Sequence, residues 1–113
     1  MHELWICKNI LEIINQHDMN KSFTCVRKIY LEIGELTAID KSALLFSFGV
    51  VAENSKAKDA ILEITSLAGM ASCDSCKKTL SINQYSDTCH FCGNFALTIL
   101  QGEELRVLSM EVE

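Results

Sequence analysis

Residues 73–92 read Cys73-Asp74-Ser75-Cys76-Lys77-Lys78-Thr79-Leu80-Ser81-Ile82-Asn83-Gln84-Tyr85-Ser86-Asp87-Thr88-Cys89-His90-Phe91-Cys92, and this stretch decides how the chain is organised. It holds two Cys-x-x-Cys pairs with twelve residues between them. Each pair can turn two thiolates toward one point on a tight loop. Two such turns supply four sulfurs, which satisfy tetrahedral Zn(II) and leave no open position. Gly93, directly after the second pair, permits the tight backbone that such a turn uses. The linker 79–88 contains Leu80-Ser81-Ile82 and is long enough for a short hairpin arm. The apolar candidates for a local core are few: Leu80, Ile82, Tyr85, Phe91 and Phe95. A bound metal must then supply most of the folding energy of this piece. Spacing alone does not separate zinc from iron, so a rubredoxin-like electron carrier is an alternative, and disulfides are another. A closed four-sulfur site has no place for a substrate, which makes it structural. His90 reads as an exposed loop residue, with occasional ligation as its alternative role.

Outward from this stretch the patterning changes. On the N-terminal side, residues 60–66 alternate, with Leu62 and Ile64 against Glu63 and Thr65. On the C-terminal side, residues 104–112 form another strand candidate. Further back, a helix is expected to open at Asp40, a good N-cap, with an apolar stripe of Leu44, Leu45, Phe48, Val51 and Ala52. Gly49 weakens that helix and Asn54-Ser55 closes it. Residues 24–33 alternate: Ile29, Leu31 and Ile33 point one way, Lys28, Tyr30 and Glu32 the other, and Gly34 ends the strand. Residues 4–16 carry Leu4, Ile6, Cys7, Ile10, Leu11, Ile13 and Ile14 at helical spacing, and the polar run 18–22 breaks the pattern.

The expected fold is therefore α+β: two helices packed on a small three-stranded sheet, with an inserted zinc-ribbon-like module. The body comprises 1–68 plus 103–113 and the module 69–102. The module should leave one strand and return into a strand paired with it. Residues 21–35 can support strand pairing between chains, which allows a homodimer. Cys7 and Cys25 read as buried small hydrophobes.

Composition narrows function. The chain has 113 residues, one domain's worth, with Lys+Arg 10 against Asp+Glu 15 and a net charge of −5. This disfavours a phosphate-driven nucleic-acid binder. No apolar run reaches the 18 or so residues of a membrane span, and no secretory signal is visible. A cytoplasmic address is expected, where six cysteines need a use other than disulfides. No nucleophile–base pair can be placed, so an enzyme is not expected. His17 reads as a helix C-terminal residue, favourable there when charged.

Met1-His2-Glu3 is a second constellation. The α-amine, the His2 amide nitrogen and the His2 imidazole can close five- and six-membered chelate rings. Three nitrogens in one plane favour Ni(II) or Cu(II) over Zn(II). The Glu3 carboxylate can complete the site. The same residues also fit a frayed terminus with Glu3 favourably placed at a helix N-terminus.

Taken together, Met1-His2-Glu3, Ile33-Gly34-Glu35-Leu36, Val51-Ala52-Glu53, the paired Cys-x-x-Cys insert and Glu104-Leu105-Arg106 resemble the HypA/HybF family of hydrogenase nickel-insertion accessory proteins. The likeness spans essentially the whole chain. It implies a nickel metallochaperone for [NiFe]-hydrogenase maturation, delivering Ni(II) to the hydrogenase large subunit with a HypB-type GTPase partner. In some organisms the family also serves urease maturation. By resemblance, nickel sits at Met1, His2 and Glu3, and structural zinc at Cys73, Cys76, Cys89 and Cys92. Asp40 lies in a stretch where, in some members, the acid is near the nickel end; its helix-capping role is compatible with that. Some members carry a histidine after each cysteine pair, where this chain has Lys77 and Gly93, so exchange of thiolate for histidine is in doubt here. Trp5 replaces a commonly small polar residue and is expected in the core. The competing reading from another class is a zinc-ribbon adaptor with no nickel function.

Overall fold

A computed structural model describes residues 2–20 and 22–113, with the side chains of His2 and Asn20 excepted. The element order is α1 (His2–Asn20), β1 (Val26–Gly34), a 3-10 turn (Glu35–Thr37), α2 (Lys41–Val51), β2 (Ile61–Leu67), β3 (Gly69–Cys73), β4 (Thr79–Ile82), β5 (Leu97–Gln101) and β6 (Leu105–Val112). Among the described residues, no helix is long and apolar enough to cross a membrane. Two three-stranded sheets form, in the orders β2-β1-β6 and β4-β3-β5.

The first sheet is built around β1. Its Ile29, Leu31 and Ile33 are all almost fully buried, as the alternation requires. A strand this apolar on one face belongs at the centre of a sheet, and β2 and β6 flank it on either side. This corrects two expectations. The strands that precede and follow the module are not paired with each other. Both edges of β1 are also occupied, so this strand, Val26–Gly34, offers no free edge for pairing between chains.

The chain divides into two compact units: Met1–Leu31 with Ile39–Ile64 and Val107–Glu113, and Glu32–Ala38 with Thr65–Arg106. In the first, α1 buries Ile6, Cys7, Ile10 and Ile14, and α2 buries Leu44 and Phe48. The Cys7 thiol donates to the Leu44 carbonyl at 3.5 Å, tying the two helices together. Asp40 caps α2, its Oδ1 accepting from the Ala43 N–H at 3.1 Å. α1 runs on to Asn20, into the polar run expected to break it, and its last turn includes Asp18. Its carboxylate accepts from the Phe23 N–H and pairs with Lys56 at 2.7 Å.

Several apolar residues assigned inward are not buried, Ile13 at 36% exposure among them. Trp5 is 65% exposed, since it sits one residue, and so about a quarter of a turn, off the Ile6–Ile10–Ile14 face. Leu45 is 47% exposed for the same reason beside Leu44. Cys25 is only half-buried, and its thiol donates to Glu113 Oε2. It borders a cavity of about 680 Å³ in the first unit that contains none of the candidate metal ligands.

Candidate metal centre

The second unit is built on β3. It pairs antiparallel with β4, Ala71 opposite Leu80, and with β5, Cys73 opposite Leu97. Residues 79–82 thus pair back onto β3 and do not make a hairpin arm of their own. Alternation along β3 and β4 puts Ala71, Cys73, Leu80 and Ile82 inside. Leu36 and Cys89 complete that core. The aromatic residues expected there are exposed: Tyr85, Phe91 and Phe95. Two of these rings make surface contacts. The Tyr85 hydroxyl donates to Glu103, while Phe91 lies 4.7 Å under the Lys78 ammonium and against His90.

The two cysteine pairs fold into matching turns. In the first, the Lys77 N–H donates to the Cys73 carbonyl and the Cys73 N–H to the Lys78 carbonyl, both at 2.9 Å. In the second, the Gly93 N–H donates to the Cys89 carbonyl and the Cys89 N–H to the Asn94 carbonyl, at 2.6 and 2.8 Å. The residue after each pair takes a left-handed backbone, φ 64° at Lys77 and 78° at Gly93. Lys77 and Gly93 are therefore the turn-closing positions of the two cysteine pairs. Side chains then tie the first turn to the second and to β5. Asn94 Nδ2 donates to Ser75 Oγ at 2.6 Å, and Thr98 Oγ1 donates to Asp74 Oδ1 at 2.7 Å.

This brings the four sulfurs within 4.8 Å of one another. Cys73 Sγ lies 3.6 Å from Cys92 Sγ and Cys76 Sγ lies 3.7 Å from Cys89 Sγ. A tetrahedral ion with metal–sulfur bonds of about 2.3 Å needs sulfur–sulfur edges of about 3.8 Å. The donor set and its spacing fit a metal such as zinc. The electrostatics ask for one. The Cys76 N–H draws the Cys73 thiol down to about 7, against the effect of burial and with help from the Ser75 N–H. Burial pushes Cys89 upward, but the N–H groups of Phe91 and Cys92 outweigh it and leave the thiol below its usual range. The Asn94 N–H favours the Cys92 thiolate, yet the Cys73 sulfur, burial and the other two sulfurs push it up to about 11. Four sulfurs this close cannot all ionise without a cation between them, and a divalent ion supplies it.

Of the other candidate ligands, Met1 and the His2 side chain lie outside the described residues. Glu3 stands half-buried in the first turn of α1. Burial pushes the Cys7 thiol up to about 11, and the Glu3 carboxylate adds to that. His90 is exposed. Sequence reasoning missed Leu36, which carries no local signal of belonging to the module. It also missed the Asp74–Thr98 and Ser75–Asn94 bonds; the Gly93-Asn94 dipeptide is a turn signal that could have pointed to the latter.

Fold and site together define an α+β metal-binding protein carrying a zinc-ribbon-like four-cysteine module. The family profile described as "Hydrogenase/urease nickel incorporation, metallochaperone, hypA" matches residues 1–112. The chain is 50% identical, over the full length of both sequences, to the hydrogenase maturation factor HypA of Legionella pneumophila (strain Corby). It is 40% identical, again over both full lengths, to that of Rhodopseudomonas palustris (strain BisB5). Its fold is similar to the solution structure of the Ni metallochaperone HypA from Helicobacter pylori, with TM-score 0.69 and 28% identity, covering 97% of this chain and 96% of that one. The chain belongs to the HypA family of nickel-incorporation metallochaperones.

Proposed function

We propose that this protein carries Ni(II) for the maturation of [NiFe]-hydrogenase in the cytoplasm. It receives nickel at the Met1 amine, His2 and Glu3, and passes it to the hydrogenase large subunit together with a HypB-type GTPase. Urease maturation proteins are a second class of partner in the same reading. Membership of the HypA family over essentially the whole chain is the observation that carries this proposal.

Cys73, Cys76, Cys89 and Cys92 hold a structural zinc ion in this reading. Zinc contributes charge neutralisation and a cross-link to the small core around them. The nickel donors are nitrogen and oxygen, the zinc donors sulfur, and this difference reduces misloading. A terminal site of few ligands exchanges its cargo readily with a partner, which a buried cage would not. Asp40 joins the nickel end as an auxiliary acid. What supports including it is the Cys7–Leu44 hydrogen bond, since each of those residues lies about one helical turn beyond its acid, Glu3 or Asp40.

The test is calorimetric titration of untagged protein with Ni(II), with total metal measured beforehand. His2→Ala, or a blocked α-amine, should abolish tight nickel binding while one zinc per chain remains. Unchanged nickel affinity in either form sinks the site assignment. No nickel binding by the untagged wild type would favour a zinc-ribbon adaptor instead.

A further inference from the structure

The four cysteines of the module are unequally exposed. Cys73 and Cys89 are closed off from solvent, at 0% and 1% exposure, and Cys76 is intermediate. Cys92 alone stands in the open. Its sulfur is 3.6 Å from that of buried Cys73, in the opposite turn. The remaining two sulfurs form a second cross-turn pair at 3.7 Å.

We propose that the four-cysteine cluster is a modification site for hydroperoxides, in which Cys92 is the entry point and Cys73 the resolving thiol, and that its oxidation releases the metal. The proposal rests on the zinc reading above. In the first step the Cys92 sulfur attacks the peroxide O–O bond. One oxygen stays as the sulfenic acid and the other leaves as hydroxide, which a proton converts to water. In the second step the Cys73 sulfur attacks the Cys92 sulfur, forms the disulfide and expels the second oxygen, again as water after protonation. Two thiolates are oxidised by two electrons and one hydrogen peroxide is reduced to two waters. The zinc then keeps only Cys76 and Cys89. A second peroxide converts these to a disulfide in the same way. Overall, one zinc tetrathiolate, two peroxides and four protons give free Zn(II), two disulfides and four waters.

The geometry makes this a reversible change. Closing the Cys73–Cys92 gap to a disulfide requires a movement of about 1.5 Å, within reach of side-chain rotation. Leu36, Ala71, Leu80 and Ile82 remain packed beneath, and β3 keeps both neighbours. A disulfide between the turns replaces the metal as the cross-link. Oxidation should therefore unload zinc without unfolding the module, and a dithiol should restore the site. Neither remaining cysteine competes as a partner: Cys7 is fully buried, and Cys25 is engaged with Glu113.

Untagged protein is first assayed for zinc and then treated with hydrogen peroxide in small molar excess. Zinc release is read with a chromogenic chelator, and disulfides are mapped by mass spectrometry of the digested chain. The expected result is one zinc released per chain, with Cys73–Cys92 the first disulfide to accumulate and a dithiol plus zinc reversing both. Cys92→His keeps a metal donor but removes the entry sulfur, and should slow peroxide-driven release by about tenfold or more. Zinc retained under peroxide overturns the proposal, as does a first disulfide containing Cys7 or Cys25, or wild-type release from Cys92→His. If Cys92→His does not fold, the wild-type disulfide map decides alone. A chain that purifies without zinc overturns the zinc reading itself, and this inference with it.

Discussion

Lys77 and Gly93 occupy equivalent places in the two cysteine turns, and their left-handed backbones are what those places demand. Glycine adopts that conformation freely, whereas a residue with a Cβ is strained by roughly 1 kcal/mol. The two positions should respond to mutation with opposite sign. Lys77→Gly should raise stability by about 0.5–1 kcal/mol, and Gly93→Ala should lower it by about 1 kcal/mol, both read from thermal melts of the zinc-loaded protein. Cys7 offers a second test at this scale. Its folded thiol is pushed up to about 11 from 9.0, so burial favours the neutral form. That contribution is complete below pH 9 and is lost as pH rises through 11. Stability in denaturant titrations should fall over that window, and Cys7→Ala should flatten the fall. Gly93 and buried Cys7 were both legible in the sequence. The left-handed backbone of Lys77 was not, because lysine carries no signal for it.

Among the elements, β1 and the turn after it organise the fold. The two-residue alternation of Ile29, Leu31 and Ile33 is a local property and could be read directly. The contacts of the turn are long-range. A Cβ on Gly34 would collide with the carbonyl of Gly102, and the Leu36 N–H donates to that same carbonyl at 2.9 Å. Thr37 closes the turn by donating to the Gly34 carbonyl. This turn places Leu36, 6% exposed, among Ala71, Cys73, Leu80, Ile82 and Cys89. Leu36→Ala should cost about 2–5 kcal/mol and weaken metal retention, although residue 36 is no ligand. Competition against a zinc chelator measures the second effect. Unchanged retention would show that the module holds its metal without help from this side chain.

At the level of the whole molecule, two cores of unequal strength divide the work. The first is supplied by α1, α2 and most of β1, and its buried residues are mostly aliphatic. The second is a small cluster in which two members are cysteines that also belong to the four-sulfur site. Removing the metal leaves those thiols close together with nothing to balance their charge. Chelation should therefore raise hydrogen exchange across β3, β4 and β5 while the amides of α1 and α2 keep their protection. Protection lost equally in both units would mean that the metal stabilises the fold globally.

The sequence by itself determined the order of the body's helices and strands, the two-helix α+β body, the Asp40 cap and the grouping of four cysteines. All of these depend on periodicity or spacing within a few residues, and such patterns survive without knowledge of distant neighbours. Tertiary structure decided which apolar side chains are inside. Trp5, Tyr85, Phe91 and Phe95 are large and largely apolar, yet all four are exposed, Trp5 on the outer face of α1 and the other three in the turns and loops of the module. It also decided that β2 and β6 flank β1, and that Leu36 serves the metal module. Burial and strand partnership depend on what packs against a segment, and those neighbours come from remote parts of the chain.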